Sequence, residues 1–266
     1  MRLVMNGALG RMGRRIITLA AEDSEITLTG AVDISFENQI GTDVGEIIGI
    51  GKLGVSVKKD LTETINNADV VVDFTWPDNI LKTAEICGND NIPLVIGTTG
   101  LKTEERNEFK RLVSTIPCVY APNMSVGVNL LFKLTAEAAA ILGDDYDIEI
   151  SETHHRFKKD APSGTANRLA EIVAETLDRN ITQDARYGRH GITGERTQKE
   201  IGIHSMRLGD VVGEHTVTFG TVGERIELVH KAHSRDALAK GALRAAKFIV
   251  KAQPGLYDMQ DILGLK

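Results

Sequence analysis

Cysteine is scarce: Cys87 and Cys118 are the only two in 266 residues. They form neither a C-x-x-C pair nor a zinc pattern, and two cannot staple a chain of this size. Each lies in or beside an apolar segment, so both read as buried thiols of a protein in a reducing compartment. No uninterrupted apolar run approaches the ~20 residues of a membrane span. The opening Met1–Gly7 is too short an apolar stretch for a secretory leader and runs into Gly- and Arg-rich sequence, so a cytoplasmic protein is expected. Positive charge is not in excess either. Lys and Arg number 31 against 37 Asp and Glu, a net charge of −6. A field of that sign does not favour nucleic acid or an anionic membrane. No internal repeat or low-complexity tract is visible. What is present is ordinary for a globular protein, 42% apolar and 26% charged residues. The length suggests two domains or one large one.

The first half alternates short apolar runs with helical patterns. Strands are predicted at Arg2–Asn6, Thr27–Asp33, Asp69–Phe74, Pro93–Gly97 and Cys118–Ala121, and helices at Arg11–Ala21, Asp78–Cys87 and Thr103–Ser114. The run D-V-V-V-D-F at 69–74 is apolar on both faces, as in a buried parallel strand. Strand, helix, strand in repetition implies βαβ units and a doubly wound sheet. After about residue 125 the pattern changes. Ser125–Leu142 and Gly164–Leu177 read as helices, while Asp147–Thr153, Lys199–Arg207, Glu214–Phe219 and Arg225–His233 alternate as half-buried strands. That is an α+β domain with one sheet face covered. Ser234–Lys251 is helical again, with Ser234 as its expected N-cap. The pattern assigns no role to the basic, Gly-rich loop Gly188–Gly194.

Between the first strand and first helix stands G-A-L-G-R-M-G, with Gly7, Gly10 and Gly13. The usual dinucleotide spacing is G-x-G-x-x-G, and here it opens G-x-x-G. Gly7 suits a tight turn, Gly10 a close approach to pyrophosphate and Gly13 the packing of helix on strand. The helix start offers N–H groups and partial positive charge to phosphate. Three glycines alone would also suit an ordinary turn. The strand before, the helix after and Asp33 at the end of the second strand together point to a dinucleotide. Asp33 is placed to accept adenosine ribose hydroxyls, and Ile34, Ser35 and Phe36 supply no cation for a 2′-phosphate. Arg11 is the one basic group in the loop. Gly97–Gly100 (G-T-T-G) and Ala121–Ser125 (A-P-N-M-S) lie at strand C-terminal ends, where open α/β sheets bind ligands, although Gly, Pro and Asn make turns anyway.

In this acidic chain, Glu152–Thr165 reads E-T-H-H-R-F-K-K-D-A-P-S-G-T. A single His or Lys there would be an ordinary surface residue. Two histidines, an arginine and two lysines within six residues, followed by a helix start at Ser163-Gly164-Thr165, suggest a small-polyanion site with a proton donor beside it. Adjacent histidines project in different directions and no acidic or Cys partner has ligand spacing, so no metal is expected.

These segments together resemble the 4-hydroxy-tetrahydrodipicolinate reductase (dihydrodipicolinate reductase) family of lysine and diaminopimelate biosynthesis. The resemblance runs over nearly the whole chain and is most specific at 152–165, then at V-I-G-T-T-G and A-P-N-M-S-V-G-V-N-L. It implies a homotetramer of two-domain subunits. Each subunit would have a Rossmann-like α/β domain at 1–125 plus 235–266 and an α+β domain with a mixed sheet at 126–234. The first would bind NADH or NADPH and the second substrate, a small dicarboxylate, besides building the tetramer. Carried over by position, Gly7, Ala8, Leu9, Gly10, Arg11, Met12, Asp33, Gly97, Thr98, Thr99, Ala121, Pro122, Asn123 and Met124 would contact cofactor. His154 would be the proton donor/acceptor, Lys158 a second donor, and His155, Gly164 and Thr165 would hold substrate carboxylate. The family's acid is often Glu, with Arg following it in NADPH-preferring members. Asp33-Ile34 therefore implies NADH used at least as well as NADPH. Met124 stands where Phe is common. A dehydrogenase of aspartate or another amino acid, or a non-enzymatic NAD(H) sensor, would not need the His/Lys cluster beside an anion-binding helix start.

Overall fold

The computed structural model describes residues 1–266, the side chain of Thr103 excepted. In chain order the elements are β1 Arg2–Asn6, α1 Arg11–Ala21, β2 Thr27–Val32, α2 Val44–Ile48, β3 Val57–Lys58, β4 Val70–Asp73, α3 Ile80–Asp90, β5 Leu94–Ile96, α4 Arg106–Leu112 and β6 Pro117–Tyr120. There follow α5 Val126–Leu142, β7 Asp147–His154, α6 Gly164–Thr176, α7 Ile181–Asp184, β8 Ala185–Tyr187, β9 Ile201–Arg207, β10 Gly213–Thr221 and β11 Glu224–Ala232. The chain ends with α8 Asp236–Ile249, β12 Gly255–Tyr257 and α9 Met259–Leu263. It divides into two compact units, Met1–Val126 with Arg235–Lys266, and Gly127–Ser234.

The first unit holds a seven-stranded sheet in the order β12-β6-β5-β4-β1-β2-β3, with every pairing parallel. Period-two alternation sends Leu3, Met5, Val70 and Val72 to one face and Val4 and Val71 to the other. The first set packs with Ile16 and Ile17 of α1 and Ala242 and Ala246 of α8, the second with Ile80 and Ala84 of α3 and Phe109 of α4. Both faces are covered, which is why these strands read as continuous apolar runs. Cys87 and Cys118 are fully buried free thiols in the second cluster, and burial pushes both up. The chain winds both ways from β1, with β2 on one side and β4 on the other, so the ligand crevice expected of such a sheet lies at the C-terminal ends of these strands.

The second unit holds a mixed sheet, β11-β10-β7-β9-β8, antiparallel at β11-β10 and β10-β7 and parallel at β7-β9 and β9-β8. Ile148, Ile150, Ile203, Val217 and Phe219 pack with α6 and with Val128, Leu131 and Phe132 of α5. Helix α5 and its extension to Asp145 are long and apolar enough to cross a bilayer by composition. One stripe of it lies in this core, Lys133 pairs with Glu137 at 3.4 Å, and Leu130, Leu134 and Ile141 on it are exposed.

Several expected boundaries move, among them that of the helix expected at Thr103–Ser114, which starts at Arg106 after a 3₁₀ turn at Thr103–Glu105 and ends at Leu112. Pro77–Asn79 forms a 3₁₀ turn, so the helix expected from Asp78 starts at Ile80. Helix α8 starts at Asp236 with Arg235, not Ser234, in the N-cap position. Strands β3, β8 and β12 and helices α2, α7 and α9 escaped prediction because two to five residues carry no readable periodicity.

Candidate active site

The glycine loop is built by backbone geometry. Gly7 has φ +83°, and a Cβ there would stand 2.6 Å from the Phe74 carbonyl oxygen. A Cβ on Gly13 would stand 2.1 Å from the Gly7 carbonyl oxygen, so the start of α1 can lie on the loop only as glycine. At Gly10 an added Cβ would meet only the Gly7 carbonyl oxygen, at 3.4 Å, leaving open space above the loop. The side chains of Ala8 and Leu9 are buried, so these two can offer a ligand only backbone, whereas Arg11 is exposed and Met12 half-buried. Burial and the nearby charge of Arg11 hold the Arg235 guanidinium below its ordinary range. A second cation, unforeseen from sequence, therefore stands near the loop.

Asp33 is 6% exposed, and each of its oxygens accepts a backbone N–H, Leu9 at 2.9 Å and Ser35 at 2.9 Å. The acid at the end of β2 thus braces the glycine loop. Ile34 and Phe36 beside it are exposed apolar surface.

Asp73, at the end of β4, is fully buried and escaped the sequence reading. Its Oδ2 accepts from Asn6 Nδ2 at 2.7 Å and Thr83 Oγ1 at 2.8 Å. Its Oδ1 accepts from the Thr75 N–H and hydroxyl at 3.0 and 2.8 Å and from Thr98 Oγ1 at 3.0 Å. Burial pushes this carboxyl up, against those donors. The Thr98 hydroxyl is therefore committed inward, while Thr99 is exposed. The Phe74 ring lies where a Gly97 side chain would be, 2.1 Å from its Cβ position. In the A-P-N-M-S loop Asn123 Oδ1 accepts the Ser125 N–H at 2.8 Å, Pro122 is exposed, and Ala121 and Met124 are buried at 1% exposure. Met124 is a core side chain here, and only its backbone can face a ligand. A Cβ on Gly241 of α8 would stand 1.8 Å from its carbonyl oxygen.

In the second unit, β7 carries Glu152 and His154 on one face, two residues apart. Glu152 is 1% exposed. Its Oε2 contacts His154 Nδ1 and accepts from Arg207 at 3.0 Å; its Oε1 accepts from Arg207 at 3.0 Å and from the Ser163 N–H at 3.2 Å. Arg207 is the register partner of His154 on β9, and His215 that of Glu152 on β10. The His215 ring meets that of His154 edge-on at 5.2 Å, and its Nε2 lies 3.1 Å from Ser163 Oγ. Burial lowers both imidazoles, His215 to about 3; for His154 the charges of Lys158 and Arg207 act in the same sense and Glu152 opposes them. Burial works to raise Glu152, yet its bonds to Arg207 and His154 keep it below the ordinary carboxylate range. Ser163 caps α6, accepting the Ala166 N–H at 3.1 Å, and nothing stands within 4 Å of a Cβ position on Gly164. Gly164 and Thr165 thus occupy the positive first turn of a thirteen-residue helix. Lys158 donates to both Asp160 oxygens at 2.8 Å, and the His155 ring lies 6.4 Å from that of Phe157. Among the described residues no three His, Cys, Asp or Glu side chains gather as metal ligands would.

A doubly wound parallel sheet with a glycine loop and a braced acid at its switch point is the framework of a nicotinamide-dependent oxidoreductase. The dihydrodipicolinate reductase N-terminal family model matches residues 1–124 and the C-terminal model residues 127–263. The chain belongs to the dihydrodipicolinate reductase family. A curated 4-hydroxy-tetrahydrodipicolinate reductase of Syntrophus aciditrophicus is 50% identical over 266 residues, 100% of this chain and 99% of that protein. One from Trichlorobacter lovleyi is 53% identical over 265 residues at the same coverage. Among solved structures, a dipicolinate-bound dihydrodipicolinate reductase from Paenisporosarcina sp. TG-14 matches with a TM-score of 0.77 at 25% identity, covering 98% of both chains.

Proposed function

We propose that this chain reduces 4-hydroxy-tetrahydrodipicolinate to tetrahydrodipicolinate, in lysine and diaminopimelate biosynthesis, with NADH used at least as well as NADPH. Gly7–Met12, Asp33, Gly97–Thr99 and Ala121–Met124 hold the dinucleotide. Open space above Gly10 and the pairing of Arg11 with Arg235 suit a diphosphate, and the apolar, cation-free flank of Asp33 suits an unphosphorylated ribose. When bound, the nicotinamide supplies a hydride. The ring hydroxyl leaves as water with a proton from the adjacent ring carbon, which puts a double bond in conjugation with the imine; hydride addition to that system gives an enamine, and one proton on the enamine carbon completes the product.

This chain's residues bind the dianion and deliver the proton. The α6 start at Gly164 and Thr165, with His155, takes a carboxylate, while Lys158, paired with Asp160, and Arg207, paired with Glu152, supply charged donors that stabilise developing negative charge. His154 gives the proton from Nε2, and Lys158 is the second donor. In the free protein burial holds His154 largely neutral at pH 7, and an arriving dianion favours its charged form. The observation that carries the reading is that Glu152 bonds both His154 and the Ser163 N–H, so proton donor and anion cradle form one braced unit.

The homotetramer is proposed on the same footing. Strand β11 is a sheet edge with Ile226 exposed on one face and Val229 on the other, at 41% and 50%, an edge suited to pairing with a second copy, and sedimentation gives the mass. A cytoplasmic setting accords with the two buried free thiols.

The test is nicotinamide oxidation at 340 nm with the substrate generated in situ. Turnover is expected in wild type, and a fall in kcat of roughly 10²–10⁴ in His154→Ala with a lesser change in KM. Absence of turnover in wild type would overturn the reading. Near-wild-type turnover in His154→Ala would remove that residue from the mechanism.

A further inference from the structure

Glu152 is a charged group almost wholly removed from water, and the proton-transfer scheme above assigns it no chemical step. An ionised carboxylate only accepts hydrogen bonds, so the His154 nitrogen facing it must carry hydrogen. Two Arg207 nitrogens, the His154 Nδ1 and the Ser163 N–H all converge on its two oxygens. The charged and titratable groups around His154 are Glu152 on its own strand, Arg207 from β9, His215 from β10 and Lys158 from the loop that follows. Glu152 is the only acid among them. Arg207 also donates to the Asp160 carbonyl at 2.6 Å, which links this carboxylate to the loop bearing Lys158.

We propose that Glu152 is the positioning residue of this site. Its carboxylate fixes His154 as the Nδ1–H tautomer, so that Nε2 is the nitrogen that loads and delivers the reaction proton. It also holds the imidazole in register with the start of α6. This rests on the reading of His154 as proton donor. Bond by bond, Nε2–H breaks as the enamine C=C pair left by hydride addition takes the proton on carbon and the imine C=N re-forms, and the imidazolium becomes a neutral ring still hydrogen-bonded through Nδ1. Glu152 neither gains nor loses a proton.

The substitution Glu152→Gln keeps size and can keep an oxygen toward Ser163 N–H, but it turns a donor toward Nδ1 and favours the opposite tautomer. Expected are a kcat at least ~tenfold lower with KM within ~threefold. The high-pH limb of the profile, where a proton donor loses its proton, should move to lower pH, because the imidazolium has lost the carboxylate bonded to it. Glu152→Asp, which keeps the charge, should recover part of kcat. Independently of activity, nitrogen NMR of ¹⁵N-histidine-labelled wild type, with His154 identified by its loss in His154→Ala, should show Nδ1 protonated in the neutral ring. An Nε2–H ring in wild type overturns the proposal, as does Glu152→Gln with unchanged kcat and pH profile. If Glu152→Gln does not fold, the wild-type tautomer still decides. If His154→Ala keeps full turnover, the proton-donor reading fails, and the tautomer measurement separately tests the positioning by Glu152.

Discussion

Each oxygen of the Asp33 carboxylate takes a backbone N–H, one from Leu9 inside the glycine loop and one from Ser35 just beyond β2. A carboxylate placed this way has lone pairs left for ribose hydroxyls and only repulsion for a 2′-phosphate. Repulsion of that kind in a partly exposed site amounts to roughly 1–3 kcal/mol, about ten- to a hundredfold in specificity, before Arg11 and Arg235 offset part of it. Asp33→Ala should therefore shift the ratio of kcat/KM toward NADPH. Because the same substitution loosens Leu9, it should weaken both cofactors together, and the ratio is the quantity to read. Trp76, the only tryptophan, is 69% exposed two residues after Phe74, whose carbonyl abuts Gly7. Quenching of its fluorescence gives both binding constants without turnover. A wild type favouring NADPH tenfold or more would mean that the two arginines outweigh Asp33.

At the scale of elements, α8 returns from the end of the chain to pack on the first sheet, and Gly241 allows it. In an ordinary helix interior, Gly→Ala stabilises by ~1 kcal/mol. Here the new methyl would stand 1.8 Å from the Met124 carbonyl oxygen, a backbone atom that cannot turn aside. Gly241→Ala should thus destabilise, by about 1–3 kcal/mol, and shift the 121–125 loop. The thermal midpoint should fall, and the Michaelis constant for the dinucleotide should rise. A rise in midpoint would show that α8 can move away freely. Helix α1 is tied to the same partner by the two bonds from Arg15 to Asp236, at 2.6 and 2.8 Å, so a displaced α8 would also pull on the glycine-loop helix.

The whole molecule carries its pH dependence in buried imidazoles. An unfolded histidine titrates near 6.5, and burial lowers His215 to about 3 in the folded chain. Between those values the unfolded chain binds a proton that the folded chain does not. This contribution is fully present above about pH 6.5 and is lost as pH falls, by at most ~1.4 kcal/mol per pH unit. Burial lowers His154 and His230 too, with the same sign. Urea midpoints at fixed protein concentration should hold level from pH 8 to 7 and fall below about 6.5, before the carboxylates titrate. His215→Phe should flatten that slope, and an unchanged slope would place the acid sensitivity elsewhere.

Much of this was legible in the sequence because it is local. Period-two apolar alternation, the glycines at Gly7 and Gly13, Asp33 at the end of β2 and the helix start at Ser163 depend on residues close in the chain. Even Glu152 was within reach, since strand alternation puts it on the face of His154; the histidine pair drew attention past it. What lay out of reach depends on register and on distant chain. Arg207 meets Glu152 from 55 residues further on, because β9 pairs with β7 in parallel at one register. His215 arrives from β10, Asp73 draws on Asn6 from β1 and Thr83 from α3, and Gly241 matters only once α8 returns to Met124. Sequence pattern determined the longer elements and the family, and it pointed to the glycine loop and the His/Lys segment. Tertiary structure alone decided which carboxylate stays charged in the interior and which imidazole it holds, because low-dielectric burial gives those pairings their strength and only the closed sheets create that burial.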